Sequence, residues 1–472
     1  MTPPSFPADF VWGTATAAYQ VEGAIAADGR TPSIWDSFCD RPGAIADGSS
    51  GQVACDQYHR YLDDIALMVE LGVEAYRFSI AWPRIQPTAD GAVNQAGLDH
   101  YSRLTDALLE HGIAPVVTLY HWDLPQYLED AGGWPARATA ERFADYAAVV
   151  AGALGDRIDS WTTLNEPWCS AYLGYADGEH APGRRDHPGA LAAAHHLNLA
   201  HGLGVQAIRS QVGPSARTSI TLNLQVLRPA TDSAADRRAV AQLERVGNDI
   251  WLGPLLDGRY DERLFSDTAH VSDWSFLRDG DLAQIHQPLS WLGINYYSTS
   301  TVRQRAGAVP PTWQEARRQP WRGAWPGCET VEFLPPSGPL TAMGWNQDPS
   351  GLTELLLSVH RRWPELELMV TENGAAFDDQ VADDGSIHDP ERVAYLAAHI
   401  EALGQAMAAG APVRGYFAWS LIDNFEWAHG YTKRFGLFGV DFQTQARLWK
   451  DSARWYQALV RGGRAPAVDA AG

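Results

Sequence analysis

Lysine is almost missing from this chain: Lys433 and Lys450 are the only two among 36 basic residues. That bias toward arginine carries no functional meaning by itself. Set against 57 acidic residues it leaves a formal charge of −21, which excludes nucleic acid and anionic membrane as partners, because both demand basic stripes that release counterions. A small neutral ligand fits that balance best. Cysteine is scarce too. Cys39, Cys55, Cys169 and Cys328 are scattered without a CxxC pair, so neither a zinc ribbon nor a dithiol motif is written here. Long apolar runs are absent: nothing reaches the roughly 18 residues of a membrane span, and "MTPPSFPADFVWGT" lacks a basic region ahead of an apolar stretch. A soluble cytoplasmic protein without metal or cofactor is expected, its oligomeric state open. What the chain does have is 19 tryptophans.

Eight β-branched or aromatic runs punctuate the sequence: "FVWGTA", "EAYRFSI", "APVVTLY", "DSWTTLN", "TSITLNL", "WLGINYY", "ELMVTEN" and "VRGYFAWS". Helical patterns lie between them. In "DPERVAYLAAHIEALGQAMAAG", Val393, Leu396, Ile400, Leu403 and Met407 step along one helix face, with Asp389 as the cap, Pro390 at the first position and Gly410 past the end. The stretch after Asp56 repeats the design, with Tyr58, Leu62, Ile65 and Val69 before Gly72. Strands that are apolar throughout and separated by helices are parallel and covered on both faces. Eight of them predict an α/β fold, a single (β/α)8 TIM barrel with long βα loops over residues 1–472. The competitor, a doubly wound open sheet, lacks its phosphate-binding loop, since no GxGxxG or GxxxxGK[ST] follows the first strand. The Pro- and Trp-rich segment from about 300 to 350 reads as one long loop.

Active sites of such barrels lie at the C-terminal strand ends. Those ends offer Gln20, Arg77, His121 and Trp122, Asn165 and Glu166, Asn295 to Tyr297, Glu372 and Asn373, and Trp419. Any one Glu could be an ordinary rim acid. Two of them, each beside an Asn and surrounded by Trp, match what cleavage of an acetal needs: one carboxyl to protonate the leaving oxygen and one to attack or stabilise the cationic carbon. In "NFEWAHG", Glu426 between Phe425 and Trp427 is either core or a hydroxyl-reading surface. The histidines of "AHHLNLAH" lack the spacing of a zinc helix, and Cys169 as a nucleophile has no evident general base.

The motifs "TLNEP" (163–167) and "TENG" (371–374) resemble the two catalytic signatures of the family 1 glycoside hydrolases, the β-glucosidase family. "FVWGTATAAYQVEG", "YRFSIAWPRI", "TLYHWDLP", "LGINYY", "MGW" and "FAWSLIDNFEW" extend the resemblance over about 10–456. It implies a retaining β-glycosidase acting on a small neutral β-glucoside or oligosaccharide, with Glu166 as acid/base and Glu372 as nucleophile. Retention requires carboxyls roughly 5–5.5 Å apart. Arg77 is placed to keep Glu372 ionised, while burial and a nearby anion raise Glu166. Asn295 and Tyr297 resemble the residues that hold the nucleophile and the 2-hydroxyl. Gln20, His121, Trp122, Asn165, Trp419, Glu426 and Trp427 resemble the glycone set, and Trp168, Cys169, Trp325 and Trp345 the aglycone contacts. Myrosinase-like members have Gln at the Glu166 position, and phospho-glycosidases carry Ser at the Glu426 position with a nearby Lys. Here both acids stand, and Lys433 reads as a rim charge. A transglycosylase or a non-catalytic sugar-binding homologue is the alternative; galactosides and fucosides are expected as further substrates.

Overall fold

The computed structural model describes residues 6–305 and 325–462. All eight expected runs form strands: β1 Val11–Ala15, β2 Ala75–Ser79, β3 Ala114–Tyr120, β4 Ser160–Asn165, β5 Arg217–Leu222, β6 Trp291–Asn295, β7 Leu368–Asn373 and β8 Val413–Trp419. Each pairs in parallel with the next, and β8 closes on β1 from Val11↔Gly415 to Ala15↔Trp419. The sheet is therefore a closed barrel. Side chains fill its interior tightly enough that Gly13 is required, since a Cβ there would lie 2.4 Å from the Phe417 ring. Helices such as Gln57–Leu71, Arg137–Leu154, His187–Val212 and Pro390–Ala408 cover the outside. This explains why β2 and β7 are buried at every position.

Three local expectations change. The helix after Asp56 turns a different face inward: Leu62 and Val69 are 57% and 42% exposed, while Tyr58, Ile65, Met68 and Leu71 are buried together with Asp64. Arg447 bonds both oxygens of Asp64, which lets a carboxylate occupy a core position. Asp389 stands at the start of Pro390–Ala408, but its carboxylate accepts from Ser452 and from the Arg392 guanidinium and from no backbone N–H of its first turn. The expected loop at 300–350 contains two short strands, Thr299–Gln304 and Val331–Phe333, which join Val226–Pro229 in a small sheet. The "PPTW" part of that loop, and "QPWRGAWPG" up to residue 324, lie outside the described residues. Among the described residues no helix is long and apolar enough to cross a membrane.

Candidate active site

Two strands lose register just where the acids emerge. Pairing of β4 with β5 shifts between Thr162 and Asn165, and pairing of β7 with β6 shifts between Val370 and Glu372. Such shifts re-aim side chains. Glu166 then adopts φ +44°, a left-handed conformation that a non-glycine residue keeps only where its surroundings enforce it; its N–H donates to the Thr221 carbonyl at 2.9 Å. Two residues after Glu372, Gly374 lies against β8, and a Cβ there would be 1.8 Å from the Trp419 carbonyl oxygen. The glycine of "TENG" thus answers a backbone approach.

The acids have contrasting partners. Arg77, fully buried on β2, donates to Glu372 Oε1 at 2.7 Å, and the Tyr297 hydroxyl donates to Oε2 at 2.7 Å. The other end of the same guanidinium donates to Asn165 Oδ1 at 2.5 Å. Glu166 receives Asn295 Nδ2 on Oε1 at 2.6 Å and the Cys169 thiol on Oε2 at 3.1 Å. Burial raises both acids above the ordinary carboxylate range. For Glu372, the Arg77 charge and the bonds from Arg77, Tyr297 and Asn295 oppose that rise. For Glu166, burial and then the Glu372 charge carry the carboxyl up to about 8, with Asn295, Cys169 and Arg77 pulling the other way.

Both acids face a cavity of about 210 Å³ walled by His121, Trp122, Trp419, Glu426 and Trp427 and by Trp168, Cys169, Trp325 and Trp345. The "NFEWAHG" turn is folded back on itself by Glu426 N–H to the Gly430 carbonyl at 2.7 Å. Gln20, just past β1, secures it by donating to Asn424 Oδ1 and the Phe425 carbonyl at 3.0 and 2.8 Å. Phe425 packs into the core against Tyr19 and Trp35. Trp427 packs on Trp122 at 4.4 Å between ring centres. Glu426 is buried with Oε2 unbonded, and burial followed by the Glu372 and Glu166 charges raises it to about 8. Gln20 Oε1 and His121 Nδ1 are also buried and unbonded. Unpartnered polar atoms on the wall of one cavity, Glu426 Oε2, His121 Nδ1 and Glu179 Oε2 among them, are the mark of a site that completes its hydrogen bonds with a polar ligand.

Residues 2–464 match the model of glycosyl hydrolase family 1. The chain belongs to that family. Over 463 residues it is 52% identical to the bifunctional β-D-glucosidase/β-D-fucosidase of Bifidobacterium breve, covering 96% of this chain and 98% of the relative. Among solved structures, the psychrophilic β-glucosidase BglU of Micrococcus antarcticus superposes with a TM-score of 0.92 at 45% identity, over 98% of both chains. The family 1 β-glucosidase of Thermotoga maritima in complex with deoxynojirimycin has a TM-score of 0.90 at 42% identity, covering 98% of this chain and 99% of that one.

For a family 1 chain, the residues singled out from sequence converge well. Thirteen of the sixteen line the cavity; Gln20, Arg77 and Asn165 are fully buried outside its lining, Arg77 bonding Glu372, Asn165 bonding His121 and Gln20 bonding the turn that carries Glu426. Sequence reading passed over Asn223, which immediately follows β5 and lines the cavity; the strand-end rule applied to that strand points to it. It also passed over Glu179 and His180, which the long segment after β4 carries back to the cavity. His195, His196 and His201 lie apart from the site, bonded to Tyr260 and Asp281, to the Trp134 carbonyl and to Thr163 respectively. Lys433 donates to the Ala342 carbonyl at 2.6 Å, tying two rim loops together.

Proposed function

We propose that this chain is a single-domain retaining β-glucosidase that removes terminal β-D-glucosyl residues from small neutral glucosides, and β-fucosyl and β-galactosyl residues as well. The observation that carries the reading is the contrast between two buried acids on one cavity: Glu372 is held by a cation and a phenol, while Glu166 contacts no cation. Glu372 is the nucleophile. Arg77 supports its charge, and attack on the anomeric carbon gives a glycosyl ester while Glu166 hands its proton to the departing oxygen. Once Glu372 is esterified its negative charge is gone. Burial still favours the proton on Glu166, but the Glu372 charge that added to it is gone, so the carboxyl is now more acidic and, ionised after its proton has left, serves as the base that takes a proton from the incoming water.

Glu426 and His121 bind the glycone hydroxyls, with Gln20 holding the turn that presents Glu426 and Trp419, Trp427 and Trp122 against the apolar faces of the sugar. A carboxyl at 426 suits a neutral sugar, whose hydroxyls it can meet as donor or acceptor, and offers a 6-phosphate no countercharge. Trp168 and Trp345 receive the aglycone. Turnover of an aryl β-glucoside across pH 5 to 8 tests the proposal. Hydrolysis with retained anomeric configuration supports it, and no turnover at any of these pH values overturns it.

A further inference from the structure

The hydrogen bonds around Glu166 decide which of its oxygens carries the proton, a question that rests on reading Glu166 as the acid/base. Arg77 has only donors, so the Asn165 atom it meets at 2.5 Å is an acceptor oxygen. That oxygen also takes Asn295 Nδ2 at 3.2 Å, while Asn295 Oδ1 accepts from Thr371 Oγ1 at 2.8 Å. The orientation of the Asn295 amide is thereby fixed from Arg77 outward. Its NH2 faces Glu166 Oε1 at 2.6 Å, and a proton on Oε1 would collide with an N–H that cannot accept it. Oε2 has a different neighbour. Cys169 Sγ, 3.1 Å away, both donates and accepts, and it already accepts from Asn223 Nδ2 at 3.4 Å.

We propose that Cys169 is a positioning residue for proton transfer: its thiol makes Oε2 the oxygen of Glu166 that carries the catalytic proton. Before a glycoside binds, the O–H on Oε2 points to the sulfur; with the glycoside in place it swings from the sulfur onto the leaving oxygen. When that proton has passed to the leaving oxygen, the thiol turns its own S–H onto the carboxylate left behind. The thiol keeps its proton throughout, since burial and the neighbouring Glu166, Glu372 and Glu179 charges hold it protonated. Charged and titratable groups facing Glu166 are Glu372 on β7, Arg77 on β2, Tyr297 after β6 and Glu426 after β8. None of them touches Oε2. Sequence reading placed Cys169 with the aglycone contacts; here the sulfur serves the acid.

The test is the alkaline limb of kcat/KM in Cys169→Ala and Cys169→Ser, measured on an alkyl glucoside and on 2,4-dinitrophenyl glucoside, with Glu166→Gln beside them. Alanine removes a partner from both forms of Glu166, and the bond to the carboxylate, being charge-assisted, is the stronger of the two, so the limb moves up by roughly half a pH unit, a threefold change in proton affinity. The alkyl glucoside, whose departure needs a proton, slows by roughly three- to tenfold while the dinitrophenyl substrate stays within about twofold. Serine, with donor and acceptor on one atom, restores the parental profile or lowers the limb. An unmoved limb in Cys169→Ala, or equal losses on both substrates, overturns the proposal alone. A limb that persists in Glu166→Gln overturns the acid/base reading and the proposal with it.

Discussion

Arg77 and Glu372 meet across 2.7 Å at the base of the cavity, both buried, 295 positions apart in sequence. The other end of the guanidinium reaches Asn165 at 2.5 Å, so one side chain orders the ends of both acid-bearing strands. Arg77→Met leaves a buried carboxylate without its cation, a change that costs ~3–5 kcal/mol where such pairs are broken. We expect kcat/KM to fall by at least roughly 100-fold, the equivalent of about 3 kcal/mol. Arg77→Lys should recover little, because a point charge cannot serve Glu372 and Asn165 together. Steady-state kinetics on an aryl glucoside, with thermal unfolding alongside, checks both.

The pH dependence follows from Glu166. Its carboxyl is raised to about 8, so the acid form persists below that pH, and kcat/KM should decline as pH rises through it. Stability runs the same way. Native Glu166 holds a proton that the unfolded chain releases near the ordinary value of about 4.3, so its contribution to stability falls as pH climbs from there to about 8. Glu166→Gln removes that loss. Its melting temperature should gain on the parent between pH 5 and pH 8, and a gain that shrinks over this interval would contradict the assignment.

Glu426 is the sugar reader. Glu426→Ser should lower kcat/KM on neutral glucosides by roughly 10- to 100-fold, the effect of removing one buried hydrogen-bonding partner of the transition state. The melting temperature should hold or rise, because a buried carboxyl with an unbonded oxygen is removed. Unchanged kinetics would return the motif to the core, where Phe425 already belongs.

Trp168 lines the cavity with its ring 5.2 Å from that of Trp325, and Trp345 lies 5.2 Å from Tyr297. Trp168→Ala should raise KM for bulky aryl glucosides by roughly three- to tenfold, with a smaller effect on methyl glucoside. Equal effects on both substrates would place Trp168 in the scaffold.

Much of this was legible in the sequence because a parallel barrel writes itself plainly: strands buried on both faces are continuous apolar runs, and the site falls at their ends. Glu166, Glu372, His121 and Trp419 were found by that rule. It breaks down where a polar group is buried by a distant partner. Leu62 and Val69 read as the inward face of their helix, but Asp64 turns inward in their stead because Arg447, 383 residues away, covers it. Asp389 looked like a cap until Ser452 claimed it. Glu179 and His180 reach the cavity from a loop with no periodicity, so no strand end announced them.

The most direct test of the account is to trap the intermediate. A 2-deoxy-2-fluoro-β-glucoside with a dinitrophenolate leaving group slows both steps but leaves the first one faster, so the ester accumulates. With Glu372 as the nucleophile, inactivation should release one phenolate per chain and leave a fluoroglucosyl mass on the peptide that contains Glu372. Inactivation without an adduct, or an adduct on Glu166 or another residue, would contradict it.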